Sequence, residues 1–142
     1  MASVRNPYLK DAGWGRQIDP LGFRITINEI YQRYQLPLFV VENGLGAEDE
    51  FVEGQIHDYY RIEYFSQHIK QMAEAVKDGV ELIGYTTWGC IDLISAGTGE
   101  MKKRYGFIYV DLDNEGKGSR KRYKKDSFSW YQKVIATNGA DV

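Results

Sequence analysis

Two short apolar runs separated by one amphipathic segment constrain this chain more than anything else in it. The first run, Leu38-Phe39-Val40-Val41, is rich in β-branched residues and apolar at every position, as a strand covered by helices on both faces is. The second, VELIGYTTW at 80–88, has the same buried-strand character. Between them Ile62, Phe65, Ile69, Met72 and Val76 keep a three-four rhythm. That rhythm predicts a helix with these residues facing the core, capped at its start by Asp58 and stopped by Gly79. A strand, a helical crossover and a second strand give a parallel pair, so the unit 38–88 reads as βαβ and the fold class as α/β.

The flanking segments carry weaker signals. Asp19 before Pro20 has the form of a helix N-cap with proline at the first helical position, and Phe23, Ile27, Ile30 and Tyr34 extend a helix over about 20–35 until Pro37. Alternation from Tyr105 to Leu112, followed by Asp113-Asn114-Glu115-Gly116, predicts a small hairpin. Asp126 or Ser127 is expected to cap a last helix over Trp130 to Ala136 that ends near Asn138-Gly139. Two parallel strands are few for an independent α/β domain.

At the exit of the first apolar run stands Glu42, followed by the glycine-bearing loop NGLGAEDEFVEG at 43–54. Chemistry in α/β folds gathers at the carboxyl ends of strands. Read alone, a glutamate there serves equally well as a cap or loop residue. Asp49, Glu50 and Glu53 in the same loop read as solvated acids.

Composition closes off several function classes. The length of 142 residues suits one domain, and 43% hydrophobic with 27% charged residues is globular rather than disordered. Every apolar stretch falls short of the roughly 20 residues that cross a bilayer, and the start MASVRNPYLK lacks a signal-like apolar core, so a soluble, intracellular chain is expected, with no membrane partner. One cysteine, Cys90, and two histidines, His57 and His68, are too few for a disulfide framework or a structural zinc site. Cys90 is read as a small apolar residue, and no metal is expected. The net charge is −2, yet residues 101–125 hold nine Lys or Arg against three acids, which points to something anionic nearby. Aromatics are not interleaved with that cluster as a base-stacking platform needs, so nucleic acid is not the expected partner.

Taken together, PLFVVENGLG, HDYYRIEYFSQHI and GYTTWGCIDLISAGTGEMKKRYGFIYVD resemble the C-terminal part of family 1 glycoside hydrolases, over about residues 6–136. The resemblance is carried by Glu42-Asn43-Gly44, by Trp88 at the end of the second run, and by Arg104 through Asp111. It implies a (β/α)8 TIM barrel in which the two runs are strands 7 and 8 with flanking helices and a small β-hairpin. The whole of 1–142 would then be one C-terminal fragment of a single barrel domain. On the same resemblance Glu42 falls on the catalytic nucleophile, and Trp88 forms a platform beneath the sugar ring where by itself it could be core.

A retaining glycosidase needs a second carboxylic acid about 5 Å from its nucleophile to protonate the leaving oxygen. In the family that acid lies in an Asn-Glu-Pro segment, which this chain lacks, so the chain alone is expected to be inactive. A barrel of this type has roughly 250 residues or more, and an exposed seam is expected to favour self-association or partial disorder.

Where similar enzymes acting on unphosphorylated glucosides read Asp-Asn-Phe-Glu-Trp, this chain reads Asp92-Leu93-Ile94-Ser95-Ala96. A glutamate at 95 would repel a sugar phosphate by about 4 kcal/mol per unit charge at close range, for an effective dielectric of about 20. Ser95, with Lys103 and Tyr105, matches the phosphate grip of 6-phospho-glycosidases; without the match, Lys103 reads as part of a solvated face with Lys102 and Arg104. Ala96 stands where phospho-galactosidases tend to carry Trp, which favours phospho-glucosides. The resemblance thus implies retaining hydrolysis of a phosphorylated β-glucoside in bacterial cytoplasm, without metal or organic cofactor. Lys117, Arg120, Lys121, Arg122, Lys124 and Lys125 read as a solvated hairpin, and Gly15-Arg16 departs from the family's Gly-Trp. The alternative is a non-catalytic binding module for an anionic ligand or partner.

Overall fold

The computed structural model describes residues 4–142. Strands β1 (Lys10–Gly13) and β2 (Arg16–Ile18) form an antiparallel hairpin, with Lys10 opposite Ile18 and Asp11 opposite Gln17. Helix α1 (Pro20–Tyr34) follows, then β3 (Leu38–Val40), α2 (Tyr59–Lys77) and β4 (Leu82–Tyr85). Strands β5 (Ile108–Val110) and β6 (Arg122–Lys124) make a second hairpin before α3 (Asp126–Ala136).

The βαβ expectation holds: β3 and β4 pair in parallel, with Leu38 opposite Leu82 and Val40 opposite Tyr85. Helix α1 starts as its sequence suggests, the Asp19 carboxylate accepting the Gly22 N–H at 2.8 Å ahead of Pro20. Helix α2 ends in a Schellman arrangement, Val80 N–H to Ala75 C=O at 3.1 Å and Gly79 N–H to Val76 C=O at 3.0 Å. Gly79 supplies the φ of +101° that this ending requires.

Three local expectations are corrected. Asp58 occupies the cap position of α2 but makes no capping bond, because its carboxylate is committed to Arg61 and Ser127. The cap position of α3 is Lys125, not Asp126 or Ser127. In α2 it is Ala75 that is buried, while Val76 is 50% exposed, since four turns of 3.6 residues carry the apolar stripe away from a strict three-four count.

The core joins all three helices. Phe65, Ile69, Met72 and Ala75 of α2 pack with Ile27 of α1, Val134 of α3, and Val80 and Phe107. Phe107 stacks on Tyr131, ring centroids 4.5 Å apart. Leu38, Val40, Leu82 and Tyr85 lay one face of the parallel pair on this cluster. The other face is bare, with Phe39 49%, Val41 68% and Ile83 64% exposed, so helices cover these strands on one side and not on both. Among the described residues no helix is long and apolar enough to cross a membrane. The carboxyl ends of β3 and β4 open at the same end, and the loops leaving them meet the β1–β2 hairpin there.

Candidate active site

Glu42, Trp88, Lys103 and Tyr105 line one cavity of about 400 Å³. Glu42 is exposed there, two residues past β3, and its carboxylate has no hydrogen bond or ion pair among the described side chains. The backbone around it is fixed from both sides. Thr86 donates N–H to the Val40 carbonyl at 2.8 Å and Oγ to the Val41 carbonyl at 2.6 Å. Trp88 N–H reaches the Asn43 carbonyl at 2.8 Å. The Asn43 side chain accepts from the Tyr85 hydroxyl at 2.9 Å and donates to that of Tyr64 at 3.1 Å. Burial raises both phenols above their ordinary pKa, Tyr64 against the opposing bond from Asn43, which keeps both neutral, Tyr85 as a donor to Asn43 and Tyr64 as an acceptor from it.

Two glycines explain how closely the loops pack. A Cβ on Gly44 would lie 3.0 Å from the Trp88 Cβ, and one on Gly46 would lie 2.6 Å from the Lys103 Cε and 2.9 Å from the Tyr105 ring. The loop that follows Glu42 therefore rests directly on the residues at 103 and 105.

Lys103 is 8% exposed, and no carboxylate pairs with it among the described residues. Its ammonium lies instead 5.1 Å from the Trp14 ring centre and 5.8 Å from that of Tyr105, whose ring meets Trp88 edge-on at 6.4 Å. Ser95, 1% exposed, lies behind this wall rather than on it: its hydroxyl is 3.2 Å from the Tyr105 hydroxyl. The β1–β2 hairpin closes the far side with Ala12, Gly13, Arg16 and Gln17. Its polar strands have no apolar alternation, so the sequence carries no signal for it; the turn shows only as Gly13 and Gly15, at φ +78° and +73°.

Behind the cavity lies a buried ionic network, and two residues expected to be solvated belong to it. The Asp49 and Lys125 side chains are both 0% exposed, with Lys125 Nζ 2.5 Å from Asp49 and 2.7 Å from Asp92. Asp92 also receives the Gly106 N–H at 3.0 Å and Arg104 Nη1 at 3.2 Å. Burial pushes the Asp49 carboxyl up, yet the charges of Arg61 and Lys125 together with hydrogen bonds from Lys125 and Tyr60 outweigh it and hold the group below its ordinary value. Burial and the neighbouring Arg61 charge lower Lys125. Cys90, read as a small apolar residue, is exposed. Residues 117 and 120–122, and Lys124, are exposed as the sequence suggests.

The sequence profile of glycosyl hydrolase family 1 matches residues 1–140. A 6-phospho-beta-glucosidase of Clostridium longisporum is 61% identical over 100% of the chain and 31% of its own length. An aryl-phospho-beta-D-glucosidase of Bacillus subtilis is 65% identical over 100% of the chain and 30% of its own length. Among solved structures, a family 1 β-glucosidase from Thermotoga maritima superposes with a TM-score of 0.87 at 32% identity, covering 99% of the chain and 31% of that enzyme. The family 1 β-glucosidase of Exiguobacterium antarcticum gives 0.84 at 33% identity, covering 99% and 30%. The chain thus spans about 30% of the length of the curated relatives it matches, and its fold is that of a portion of a (β/α)8 barrel.

Proposed function

The chain belongs to glycosyl hydrolase family 1, and from that membership we propose that it forms the nucleophile-bearing part of a retaining 6-phospho-β-glucosidase. One observation carries the substrate class: the buried ammonium of Lys103 shares a cavity with the carboxylate of Glu42, and among the described residues neither has an ionic partner. A buried cation without a counter-ion is costly, and a dianionic phosphate entering the cavity would offset that cost. The names of the Clostridium and Bacillus relatives support the same substrate class.

In this reading the phosphate of a 6-phospho-β-glucoside lies against Lys103 and Tyr105. Ser95 steadies the Tyr105 phenol by its hydroxyl and contributes no repelling charge. Trp88 underlies the sugar ring. Glu42 attacks the anomeric carbon, forming a glycosyl ester as the bond to the leaving oxygen breaks, and a second carboxylic acid gives that oxygen its proton. Water, deprotonated by the same second group, then cleaves the ester, and two inversions leave the configuration retained. In this reading the acid/base comes from outside these 142 residues and the chain by itself does not turn over substrate, which is supported by Glu42 being the one carboxylate among the described residues that line the cavity.

On the same reading β3 and β4 are the seventh and eighth barrel strands, and Phe39, Val41 and Ile83 turn toward the barrel interior. Left uncovered, that face favours self-association of the isolated chain. Ala96 is consistent with gluco rather than galacto substrates. A substrate made by phosphorylation during uptake places the enzyme in the cytoplasm.

The test compares p-nitrophenyl 6-phospho-β-glucoside with its unphosphorylated counterpart on the whole enzyme. The phosphorylated compound is expected to have the higher kcat/KM, and Glu42→Gln to lower its turnover at least about a thousandfold. Preference for the unphosphorylated glucoside, or a near-normal rate in Glu42→Gln, overturns the reading.

A further inference from the structure

The loop bearing Glu42 and the loop bearing Lys103 and Tyr105 are far apart in sequence, yet the proposed chemistry requires a fixed span between them. A substrate gripped by its phosphate presents its anomeric carbon to Glu42 only if that span is right. Ala47 and Arg104 join the two loops by a pair of backbone hydrogen bonds, 2.9 and 2.8 Å long. Arg61, on the first turn of α2 and 0% exposed, sits at this seam.

All five N–H groups of the Arg61 guanidinium find acceptors. Nε donates to Asp58 at 2.9 Å. Nη1 donates to the Leu45 carbonyl at 2.6 Å and the Tyr105 carbonyl at 3.1 Å. Nη2 donates to Asp49 at 2.9 Å and the Arg104 carbonyl at 3.3 Å. One planar fork therefore holds the carbonyl three residues beyond Glu42 and the carbonyls of both residues that follow Lys103. Its two carboxylate partners fix its plane: Asp58 is tied to Ser127 N–H and Oγ at 2.9 and 2.6 Å, and Asp49 is held by Lys125.

We propose that Arg61 is a positioning residue that sets the register between the nucleophile and the phosphate grip, so that phosphate selectivity depends on a side chain that does not line the cavity. This rests on the phospho-glucoside reading above. A lysine retains the charge but has three donors on a single atom, and cannot span the three carbonyls in one plane. Misplacement of a reacting group by about 1 Å costs on the order of a hundredfold in rate.

The experiment measures kcat/KM of the whole enzyme for both p-nitrophenyl substrates, wild type against Arg61→Lys. The ratio of the two values does not depend on how much of the preparation is folded. Asp58→Asn, which loosens the Nε anchor, serves as a second variant should Arg61→Lys fail to fold. The ratio is expected to fall at least about tenfold in either variant, chiefly through kcat for the phosphorylated substrate. In a Lys103→Met background, Arg61→Lys is expected to leave the ratio unchanged. Equal losses on both substrates, or a ratio still moved by Arg61→Lys when Lys103 is gone, overturns the positioning role. A wild-type enzyme with no phosphate preference instead sinks the substrate reading, visibly and before any variant is made.

Discussion

Lys103 and Lys125 are both buried, at 8% and 2% exposure, but their surroundings are opposite in kind. Lys125 lies 2.5 Å from Asp49 and 2.7 Å from Asp92 in a closed network with Arg61 and Arg104. Lys103 meets aromatic faces and an open cavity. The first cation is neutralised by the fold itself and belongs to the architecture. The second, on the phospho-glucoside reading, is left for an anion that arrives from solution. Burial of a charge thus separates two purposes only when the counter-ion is also located.

The sharpest way to break this contrast is to remove each charge in turn. Lys125→Met removes the cation shared by Asp49 and Asp92 and is expected to destabilise by about 3–5 kcal/mol, read as a lower urea midpoint, while the preference for the phosphorylated substrate, reached only through Asp49 and Arg61, falls far less than it does in Lys103→Met. Lys103→Met is expected to do the reverse. Truncating one side of a buried charge pair costs about 3 kcal/mol, so kcat/KM for the phosphorylated glucoside falls roughly a hundredfold while the urea midpoint does not fall. If both variants lose stability equally, the distinction fails.

Acid sharpens it further, with a smaller effect. Because Asp49 is held below its ordinary value of 3.8 in the folded chain, the stability it contributes is fully present above that pH and is lost as the pH falls through the depressed value. Asp49→Asn is expected to flatten the acid limb of stability measured from about pH 4 to pH 2, and an unchanged limb would remove Asp49 from the network's account.

How much of this was readable without coordinates follows from the range of each interaction. Asp19 with Pro20, Gly79, and the apolar rhythm of α2 are local signals, and the βαβ unit followed from them. Glu42, Trp88, Lys103 and Tyr105 were legible through resemblance, and the structure brings these four to one cavity. Ser95 comes within one hydrogen bond of it. What the sequence hid depends on partners remote in the chain. Asp49 looked like one loop acid among several, and Lys125 like one more member of a basic run, because the contact that buries each is supplied by the other. Arg61 carried no signal beyond a charge in a helix, and its role exists only where three carbonyls from two loops converge. The bare face of β3 and β4 was invisible for a related reason: an apolar strand reads the same whether one side or two are covered.

Trp14 adds a practical consequence. Its indole donates to Glu100 at 3.2 Å while the Lys103 ammonium stands 5.1 Å from its ring centre. Light emission from an indole responds to the electric field across the ring, and an anion settling on Lys103 changes that field. The molecule carries an optical gauge beside its cation, so that occupancy of the cavity can be followed by fluorescence with no label and no turnover.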